Sequence, residues 1–382
     1  MEIRMVDTIT QYQRVQNEID DAVLSVVRSG QYINGPVVKE FAQQLSEYLD
    51  VPHVIPCANG TDALQIALMA LGLKPGDEVI TPAFTYIATV EVIALLRLKP
   101  VFVDVDPVSF NIRPQAVLEA ITDRTRAIIP VHLFGQAADI ECIIPEAKKR
   151  GIAIVEDTAQ AIGAYYHFAD GSRRRVGTIG DIGTTSFYPS KNLGAYGDGG
   201  AIFTKDSDLG ERIQMICNHG SRVRYYHDSI GVNSRLDAIQ AAILGIKLKH
   251  LDSYSDARRA AAKRYDTLLE NVEGIETPDW HDDGSHVFHQ YTLKLTGGGA
   301  RRDAVRSYLA EKGVPSMVYY PVPCHLQPAY QEYGYQAGSI PISEGLCDQV
   351  LSLPMHSELT ESQQEFIVNA FTEALSYSIS TI

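Results

Sequence analysis

The sequence predicts an α/β protein in which helices cover both faces of a mostly parallel sheet. Short apolar runs alternate with amphipathic stretches through the first two thirds of the 382-residue chain, and the clearest runs lie at 78–81, 101–104, 127–131 and 152–155. Runs of this length and composition are typical of strands that are buried on both faces. The alternation therefore predicts parallel strands joined by helical crossovers.

The last third of the chain changes pattern, which indicates a second, smaller α+β domain. A helical pattern begins at Ser234, where Ser234 and Asp237 have the spacing of a capping box, and it leads out of the sheet layer. A strand-like run follows at 289–295, ahead of further helix and strand patterns. We expect a large domain at 1–250 and a small C-terminal domain at 251–382.

The acidic composition disfavours partners that carry negative charge. Lys and Arg together number 33 against 47 Asp and Glu, so the net charge is −14. Such a field repels nucleic acid and anionic membrane surfaces, and neither is expected as a partner. The short basic run Arg173–Arg175 follows a turn sequence. We interpret it as part of a solvated hairpin rather than as a phosphate-binding track.

Cysteine use and the apolar pattern indicate a cytoplasmic protein. The five cysteines are widely spaced, odd in number and form no Cys-x-x-Cys pair, which is typical of a reducing compartment. No stretch approaches the roughly 18 consecutive apolar residues of a membrane span, and residues 1–7 lack the apolar core of a signal peptide. We assign no metal-binding residues.

Polar residues directly follow several of the predicted strands. Asn59, Gly60, Thr85, Asp157 and Gln160 all occupy such positions. Ligands of parallel α/β sheets collect beyond the carboxyl ends of the strands. These residues are therefore the first candidates for a ligand site.

Lys191 stands in the segment 184–200, among hydroxyl, aromatic and glycine residues. An ordinary surface lysine is protonated and a poor nucleophile, whereas desolvation by neighbours such as Phe187, Tyr188 and Tyr196 favours the neutral amine. A neutral amine condenses with an aldehyde to form a Schiff base. A lysine on a glycine-rich surface loop is the competing interpretation of this segment alone.

Three further segments each have a functional and a structural interpretation. The residues from Asn59 to Thr61 open a helix after a strand, where backbone N–H groups bind a phosphate or where Asn59 or Thr61 caps the helix. Asp157 ends a buried strand, where it can hold a proton on a pyridine nitrogen or cap the next helix. Tyr86 follows another strand, where it can stack on a planar cofactor or pack in the core.

Six motifs, spread over nearly the whole chain, carry a resemblance to a known family. They are Asn59-Gly60-Thr61-Asp62-Ala63-Leu64, Gly76-Asp77-Glu78-Val79-Ile80-Thr81-Pro82, Glu156-Asp157-Thr158-Ala159-Gln160, Ser186-Phe187-Tyr188-Pro189-Ser190-Lys191, Gly197-Asp198-Gly199-Gly200 and Gly231-Val232-Asn233-Ser234-Arg235-Leu236-Asp237. In this order they resemble fold-type I pyridoxal-phosphate enzymes. More narrowly, they resemble the DegT/DnrJ/EryC1/StrS family of sugar-nucleotide aminotransferases.

The resemblance implies a role for each residue of a cofactor site. Lys191 is the implied catalytic residue: it forms a Schiff base with pyridoxal 5'-phosphate, and its freed amine then moves a proton between substrate and cofactor. The other implied cofactor-binding residues are Asp157 on the pyridinium nitrogen, Gln160 near the ring hydroxyl, Tyr86 stacked on the ring, and Gly60, Thr61 and Ser186 around the phosphate. In the family, the asparagine matching Asn233 reaches the phosphate of a neighbouring subunit's cofactor, which implies a homodimer with shared active sites.

The resemblance also implies the activity. An amino group, from L-glutamate by family habit, passes to a keto sugar linked to a nucleotide, and the product is an amino sugar for a surface polysaccharide or a glycosylated metabolite. Relatives that dehydrate sugars carry histidine at the position of Lys191, so the lysine favours transamination. Similarity to enzymes that act at the third sugar carbon, in segments such as 57–65, favours a 3-keto sugar.

Six residues are candidates for substrate contact. They are Arg222, Arg224, Arg235, Tyr319, Tyr320 and His325. The three arginines supply cations suited to a diphosphate or a carboxylate. The resemblance places the two tyrosines and the histidine where family members bring a C-terminal loop to the sugar, although each can equally be a packing residue.

Other functions stay open within this fold. An enzyme similar to 3-amino-5-hydroxybenzoate synthase uses similar cofactor residues for a dehydrating reaction on a shikimate-like ring. A catalytically idle, cofactor-binding regulatory protein is a further alternative, opposed by the presence of Lys191, Asp157 and Asn233. A nicotinamide enzyme is disfavoured because Gly197-Asp198-Gly199-Gly200 lacks the spacing of a dinucleotide-binding motif.

Overall fold

The computed structural model describes residues 2–381. Its α-helices are α1 (Thr8–Arg14), α2 (Gln16–Ser29), α3 (Pro36–Leu49), α4 (Gly60–Ala70), α5 (Ala88–Leu95), α6 (Pro114–Ala120), α7 (Ile143–Arg150), α8 (Ser207–Cys217), α9 (Ala238–Leu248), α10 (Leu251–Leu269), α11 (Gly298–Glu311), α12 (Pro341–Gln349) and α13 (Glu361–Thr381). Its β-strands are β1 (His53–Cys57), β2 (Glu78–Pro82), β3 (Lys99–Val103), β4 (Thr125–Ile128), β5 (Ala153–Asp157), β6 (Tyr165–His167), β7 (Arg173–Arg175), β8 (Ile182–Ser186), β9 (Gly200–Thr204), β10 (Ser221–Val223), β11 (Tyr226–His227), β12 (Ile275–Glu276), β13 (Tyr291–Leu295) and β14 (Val350–Leu353).

The main sheet lies in the first two thirds of the chain, as the sequence predicts. Its seven strands have the order β1-β9-β8-β5-β4-β2-β3. Strand β9 is antiparallel to both of its neighbours, and the remaining pairs are parallel. The predicted α/β class with a mostly parallel central sheet is therefore confirmed.

Helices cover both faces of the main sheet. Because alternate strand residues point to opposite faces, Val79 and Val155 pack with α4, α5 and α8, whereas Ile80 and Ile154 pack with α6 and α7. Helices α3 and α9 cover the end of this second face near β8 and β9, around Phe187. Burial on both faces explains why these strands are continuous apolar runs in the sequence.

The helix predicted from Ser234 begins later, at Ala238, and the capping-box prediction is wrong. Asp237 precedes the first turn of α9, but its side chain makes no capping hydrogen bond. Ser234 is fully buried, and its Oγ accepts a hydrogen bond from the Ala58 N–H at 3.0 Å. The Ser234 hydroxyl, which the local pattern assigned to the cap of α9, therefore bonds instead to the residue after β1, which is distant in the sequence.

A second, antiparallel sheet of three strands, β12-β13-β14, lies in the last third of the chain. Helices α10, α11 and α13 share a core with it, and Ile3 from the N-terminal segment joins that core. Helix α10 starts against the main-sheet core at Leu251 and ends in the second core at Leu269. The α+β character of this region agrees with the sequence, and the domain boundary after residue 250 stays a prediction.

The predicted hairpin around Arg173–Arg175 is confirmed, since β6 and β7 pair in antiparallel register. Arg175 is less solvated than expected, because its guanidinium lies over the rings of Tyr48 and Tyr165.

All five cysteines are free thiols. Within residues 2–381, no helix combines the length and the apolarity that crossing a bilayer requires.

Candidate functional site

A cavity of about 570 Å³ opens at the carboxyl ends of the parallel strands. Segments that follow β1, β2, β5 and β8 form one side of it, and segments before β13 and after α11 form the other. The predicted site residues that line it are Gly60, Thr61, Tyr86, Asp157, Gln160, Ser186, Lys191, Tyr319 and Tyr320. The fold therefore brings the strand-end positions singled out in the sequence into one cavity.

One end of the cavity is built like an anion site. Helix α4 begins there at Gly60, and the first N–H groups of a helix have no partner inside it. Asn59 caps this helix, because its Oδ1 accepts a hydrogen bond from the Asp62 N–H at 2.8 Å. A Cβ on Gly60 would lie 2.7 Å from the Ser186 Cβ. Glycine therefore allows the helix start and the end of β8 to approach closely, with the Thr61 and Ser186 side chains beside them.

Asp157 ends β5 and lines the cavity. Its Oδ2 accepts a hydrogen bond from the Thr89 hydroxyl and its Oδ1 accepts one from the Ala159 N–H, both at 3.0 Å. Burial raises the pKa of this carboxyl, and the Ala159 bond and the positive charge of Lys191 oppose that rise. Thr89 lies on α5, and no motif in the sequence marks it as a site residue.

Lys191 lies in the same cavity as Asp157 and is half-buried. Burial lowers the pKa of its amine to about 8, although the negative charge of Asp157 acts in the opposite direction. At that pKa about a tenth of the amine is neutral at pH 7. Within residues 2–381, no hydrogen bond engages Nζ. The amine is therefore free to react with a ligand in the cavity.

The aromatic neighbours of Lys191 differ from those expected. Tyr188 lines the cavity beside it. Phe187 instead packs edge-on against Phe41, with ring centroids 5.5 Å apart. Tyr196 packs against Tyr12, with ring centroids 6.0 Å apart. Phe187 directly follows β8 and packs in the core with α3 and α9, whereas Ser186 and Tyr188 on either side of it line the cavity.

Gln160 connects the two sides of the cavity. Its Oε1 accepts a hydrogen bond from the Phe134 N–H at 2.7 Å, and its Nε2 donates to the Tyr320 hydroxyl at 3.0 Å. The Tyr320 ring lies 6.1 Å from the ring of Tyr86. Tyr86 is 56% exposed, so it faces the cavity rather than the core.

A buried network holds the loop that carries Lys191. Asn192 donates from Nδ2 to the Val287 carbonyl at 2.9 Å, and its Oδ1 lies 3.2 Å from His289 Nδ1. The buried Lys247 of α9 donates from Nζ to the Gly194 carbonyl at 2.5 Å. Contacts from two other parts of the chain therefore position this loop.

Glu156, next to Asp157, faces the opposite side of β5 and is fully buried. Its carboxylate accepts hydrogen bonds from the Gly177, Ile179 and Gly180 N–H groups at 2.7 Å and from His132 Nε2 at 3.0 Å. His132 Nδ1 accepts from the Ala138 N–H at 2.9 Å, so its proton is on Nε2. Burial alone raises the Glu156 pKa, but the hydrogen bonds from His132 and from the Gly180 and Gly177 N–H groups bring it below its ordinary value.

The remaining candidates lie outside this cavity. Arg222 and Arg224 are exposed on the β10–β11 hairpin, and Arg235 Nη1 lies 3.4 Å from Asn218 Oδ1. Asn233 is exposed and forms a backbone bridge with Asn218. His325 is buried away from the cavity, and its Nε2 lies 3.1 Å from Glu344 Oε1. The geometry of His325 favours the packing interpretation.

Besides Ser190 and Asp198, which lie within the motifs of the sequence, two polar residues outside those motifs line the cavity, His289 and Gln290. Both precede β13 and lie about 100 residues after Lys191 in the chain. No local motif marks them. Among the described residues, no group of three or more His, Cys, Asp or Glu side chains is arranged to bind a metal.

A family model described as the DegT/DnrJ/EryC1/StrS aminotransferase family matches residues 13–372. A pleiotropic regulatory protein from Geobacillus stearothermophilus is 47% identical over 98% of both chains. A UDP-2-acetamido-2-deoxy-3-oxo-D-glucuronate aminotransferase from Pseudomonas aeruginosa is 45% identical over 97% of this chain and 99% of its own.

Solved structures have the same fold. The S. venezuelae protein DesV, in complex with a ketimine intermediate, superposes with a TM-score of 0.92 and is 40% identical, covering 99% of this chain and 98% of its own. The Bacillus subtilis protein NtdA, with bound cofactor PMP, superposes with a TM-score of 0.87 and is 32% identical, covering 97% of this chain and 83% of its own.

Proposed function

The chain belongs to the DegT/DnrJ/EryC1/StrS aminotransferase family, and we propose that it is a pyridoxal-phosphate-dependent transaminase that carries an amino group from L-glutamate to a keto sugar linked to a nucleotide. The observation that carries the proposal is the position of Lys191. Its amine has a lowered pKa and lies in the same cavity as the buried carboxyl of Asp157 and the N-terminus of α4. Those three elements match a cofactor with an aldehyde, a basic ring nitrogen and a phosphate.

The residues of the cavity fit this cofactor. The Thr85 hydroxyl is buried without a hydrogen-bond partner in the described part of the chain, and the residue lines the cavity. The Gly60–Ser186 approach leaves no room for a side chain at residue 60, which is what close backbone contact with a phosphate requires. Gly60, Thr61 and Ser186 would hold the phosphate, Asp157 the ring nitrogen, and Tyr86 and Gln160 the ring.

When bound, pyridoxal phosphate supplies a carbonyl that carries the amino group and a ring that withdraws electrons from the reacting carbon. Lys191 Nζ would hold the cofactor through its aldehyde carbon; once the incoming amino donor had taken its place there, the freed amine would move a proton between the substrate carbon and the cofactor carbon. The Asp157 carboxylate would keep a proton on the ring nitrogen, and the hydrogen bond from Thr89 would fix the orientation of that carboxylate. Tyr86 and Tyr320 cover the site and exclude water.

We propose a 3-keto nucleotide sugar as the acceptor. Several related proteins are named for a keto or amino group at the third sugar carbon, including the P. aeruginosa enzyme described above. The open side of the cavity, with Gln290, Tyr319 and Tyr320, offers polar groups that suit a sugar. The free thiols of all five cysteines support a reducing, cytoplasmic location.

We propose that the working form is a homodimer whose subunits share active sites. The cavity of one chain has Lys191 as its cationic residue among the described residues, which is too few for a diphosphate and a carboxylate. The exposed hairpin segment carries Arg222, Arg224 and Asn233 away from that cavity. Apolar side chains on the same segment are strongly exposed, with Ile230 at 86%. Contact with a second copy would cover them and complete the opposite site.

The cofactor claim is tested by spectroscopy. Purified protein incubated with pyridoxal phosphate should absorb visible light, and borohydride treatment followed by peptide mapping should leave the cofactor on Lys191. Lys74→Ala, at an exposed lysine, is the matched control and should label normally. Labelling at any residue other than Lys191 would refute the proposal.

The substrate claim is tested with a panel of 3-keto and 4-keto nucleotide sugars, with glutamate as the donor. We expect amino-sugar product from the 3-keto members. Turnover of 4-keto members alone would overturn the proposed position of amination. Product formation from a shikimate-like ring ketone would instead support the 3-amino-5-hydroxybenzoate-synthase-like alternative.

The shared site is tested by subunit mixing. Lys191→Ala and Asn233→Ala should each be inactive alone, whereas randomly mixed dimers should regain about a quarter of the wild-type activity, because half are hybrids with one intact site. Absence of any gain on mixing would show that Asn233 serves its own subunit.

A further inference from the structure

His289 lines the cavity but has no part in the proposed chemistry. It is 5% exposed and lies on the segment just before β13. This segment is fixed to the main-sheet side by backbone bonds, since the Val287 N–H donates to the Gly135 carbonyl at 2.8 Å and the Gln290 N–H donates to the Phe134 carbonyl at 3.2 Å. The imidazole is therefore presented to the cavity by a rigid backbone.

The surrounding hydrogen bonds determine which ring nitrogen carries the proton. Asn192 faces the Val287 carbonyl with its amide nitrogen, because a carbonyl can only accept. Its Oδ1 is therefore the atom that lies 3.2 Å from His289 Nδ1. That oxygen can only accept, so Nδ1 carries the hydrogen. In the neutral ring Nε2 then has a free lone pair, and no group of the described chain donates to it.

The environment keeps this imidazole neutral. Burial lowers its pKa well below the ordinary value, and the positive charges of Lys191 and Arg258 lower it further. Arg258 is itself buried and donates from Nη1 to the Phe288 carbonyl at 2.9 Å and the Met355 carbonyl at 3.1 Å. The same cation therefore positions the segment and opposes protonation of His289.

We propose that His289 is a substrate-binding residue whose Nε2 accepts a hydrogen bond from a hydroxyl or amine hydrogen of the molecule bound beside Lys191. A neutral ring with its proton on Nδ1 offers no donor to the cavity. It therefore does not bind a phosphate, a carboxylate or a keto oxygen, which only accept. Among the groups of the two proposed substrates, a sugar hydroxyl and the amine of the amino donor have a hydrogen to give. This inference rests on the proposed function and specifies how that site selects its substrate.

Two variants distinguish loss of the hydrogen-bond acceptor at His289 from loss of its planar ring. His289→Phe keeps a planar ring and removes both nitrogens, whereas His289→Gln keeps an amide oxygen near the position of Nε2. His281→Phe, at an exposed histidine, is the control. Binding of nucleotide sugars to the full-length protein is measured by calorimetry, with and without pyridoxal phosphate, beside the glutamate half-reaction followed by absorbance.

We expect His289→Phe to weaken binding of a nucleotide sugar about 3- to 10-fold, the size of one hydrogen bond, and His289→Gln to restore part of that loss. If a sugar hydroxyl is the donor, one deoxy analogue binds wild-type protein more weakly but binds His289→Phe equally well. If the amine is the donor, sugar binding is unchanged and the glutamate concentration for half-maximal rate rises by a similar factor.

The variant Asn192→Asp tests His289 through the pH dependence of substrate binding, which a purely structural histidine would not alter. A carboxylate beside Nδ1 raises the pKa of His289, and the protonated ring has no acceptor for the substrate. Binding to this variant should weaken as the pH falls from 8 to 6, whereas wild-type binding should not share that dependence. Wild-type behaviour of His289→Phe in both the sugar and the glutamate arms would overturn the proposal. Borohydride labelling at Lys191, run in parallel, reports on the proposed function separately.

Discussion

The two sides of the cavity are built in different ways. The sheet wall consists of Gly60, Thr61, Asp157, Gln160, Ser186 and Lys191, which lie at or just beyond strand ends. The C-terminal wall consists of His289, Gln290, Tyr319 and Tyr320, which lie in segments between regular elements. The main sheet fixes the first wall directly. Side-chain hydrogen bonds such as Gln160–Tyr320 and Asn192–His289 then align the second wall with it.

This difference indicates that the sheet wall serves catalysis and that the C-terminal wall serves substrate recognition. Groups that carry chemistry need positions set by a rigid backbone, and strand ends provide them. Groups that recognise a substrate can vary between related enzymes when they are carried on connecting segments. We therefore expect changes in the sheet wall to abolish turnover and changes in the C-terminal wall to alter affinity.

The largest expected effect is that of Lys191→Ala. Removing the amine eliminates proton transfer at Nζ, so kcat should fall by about 10³-fold or more, while the protein still binds the phosphate of the cofactor. Steady-state kinetics and cofactor binding measured by calorimetry check both parts. Near-normal turnover would remove Lys191 from its proposed role.

Asp157→Asn should follow, with a loss of about 10²-fold in kcat and weaker cofactor binding. The amide has the same shape as the carboxyl but no charge for the ring nitrogen, so the fold should be unaffected. Thermal unfolding without cofactor provides the control and should match wild type within a few degrees, about the spread of an isosteric change. Unchanged turnover would return Asp157 to a structural role.

Glu156→Gln tests the opposite face of the same strand and should affect stability rather than chemistry. The amide nitrogen faces N–H donors that need an acceptor, which costs about 2–3 kcal/mol in the free energy of unfolding. Because the folded pKa of Glu156 lies below its ordinary 4.5, its contribution is present above that pH and disappears as the pH falls through the lower folded value.

Denaturant unfolding of Glu156→Gln and wild type at a series of pH values checks this prediction. The difference between them should be constant near pH 7 and should shrink in acid. Glu365→Gln, at an exposed position of α13, is the control and should show no measurable difference at any pH. A difference that grows in acid would contradict the assignment.

The smallest effect is expected from Tyr320→Phe, which removes the hydroxyl that accepts from Gln160. KM for the sugar should rise about 3- to 10-fold, with little change in kcat. Tyr335→Phe is the matched control, because its hydroxyl accepts from the Phe102 N–H away from the cavity. A large fall in kcat with unchanged KM would show that the C-terminal wall contributes to catalysis rather than to substrate affinity.

Much of the sheet wall was predictable from the sequence. Buried parallel strands are continuous apolar runs, so their ends are recognisable, and the polar residues that follow them are local features. Asn59, Gly60 and Asp157 were identified in this way, Lys191 was identified from its neighbours in the segment 184–200, and the family resemblance added the implied roles. The helix dipole and the N-cap at Asn59 also depend on neighbouring residues alone.

Local patterns failed where a distant partner competed for the same group. Ser234 has the spacing of a capping box, but the end of β1 takes its hydroxyl. Phe187 and Tyr196 lie close to Lys191 in the sequence, but in the fold they pack against Phe41 and Tyr12, outside the cavity. Proximity along the chain therefore did not predict which rings desolvate the amine.

The sequence by itself determined the α/β class, the strand-end positions of the reactive groups and the presence of a lysine suited to bind an aldehyde. The tertiary structure decided which residues complete the site. Thr89 meets Asp157 across 68 positions of the chain, and His289 meets Asn192 across 97. Such contacts have no periodicity or motif, because they arise when separately determined elements pack together. Strand ends are set by local interactions, whereas the C-terminal wall exists only after the two sheets have packed.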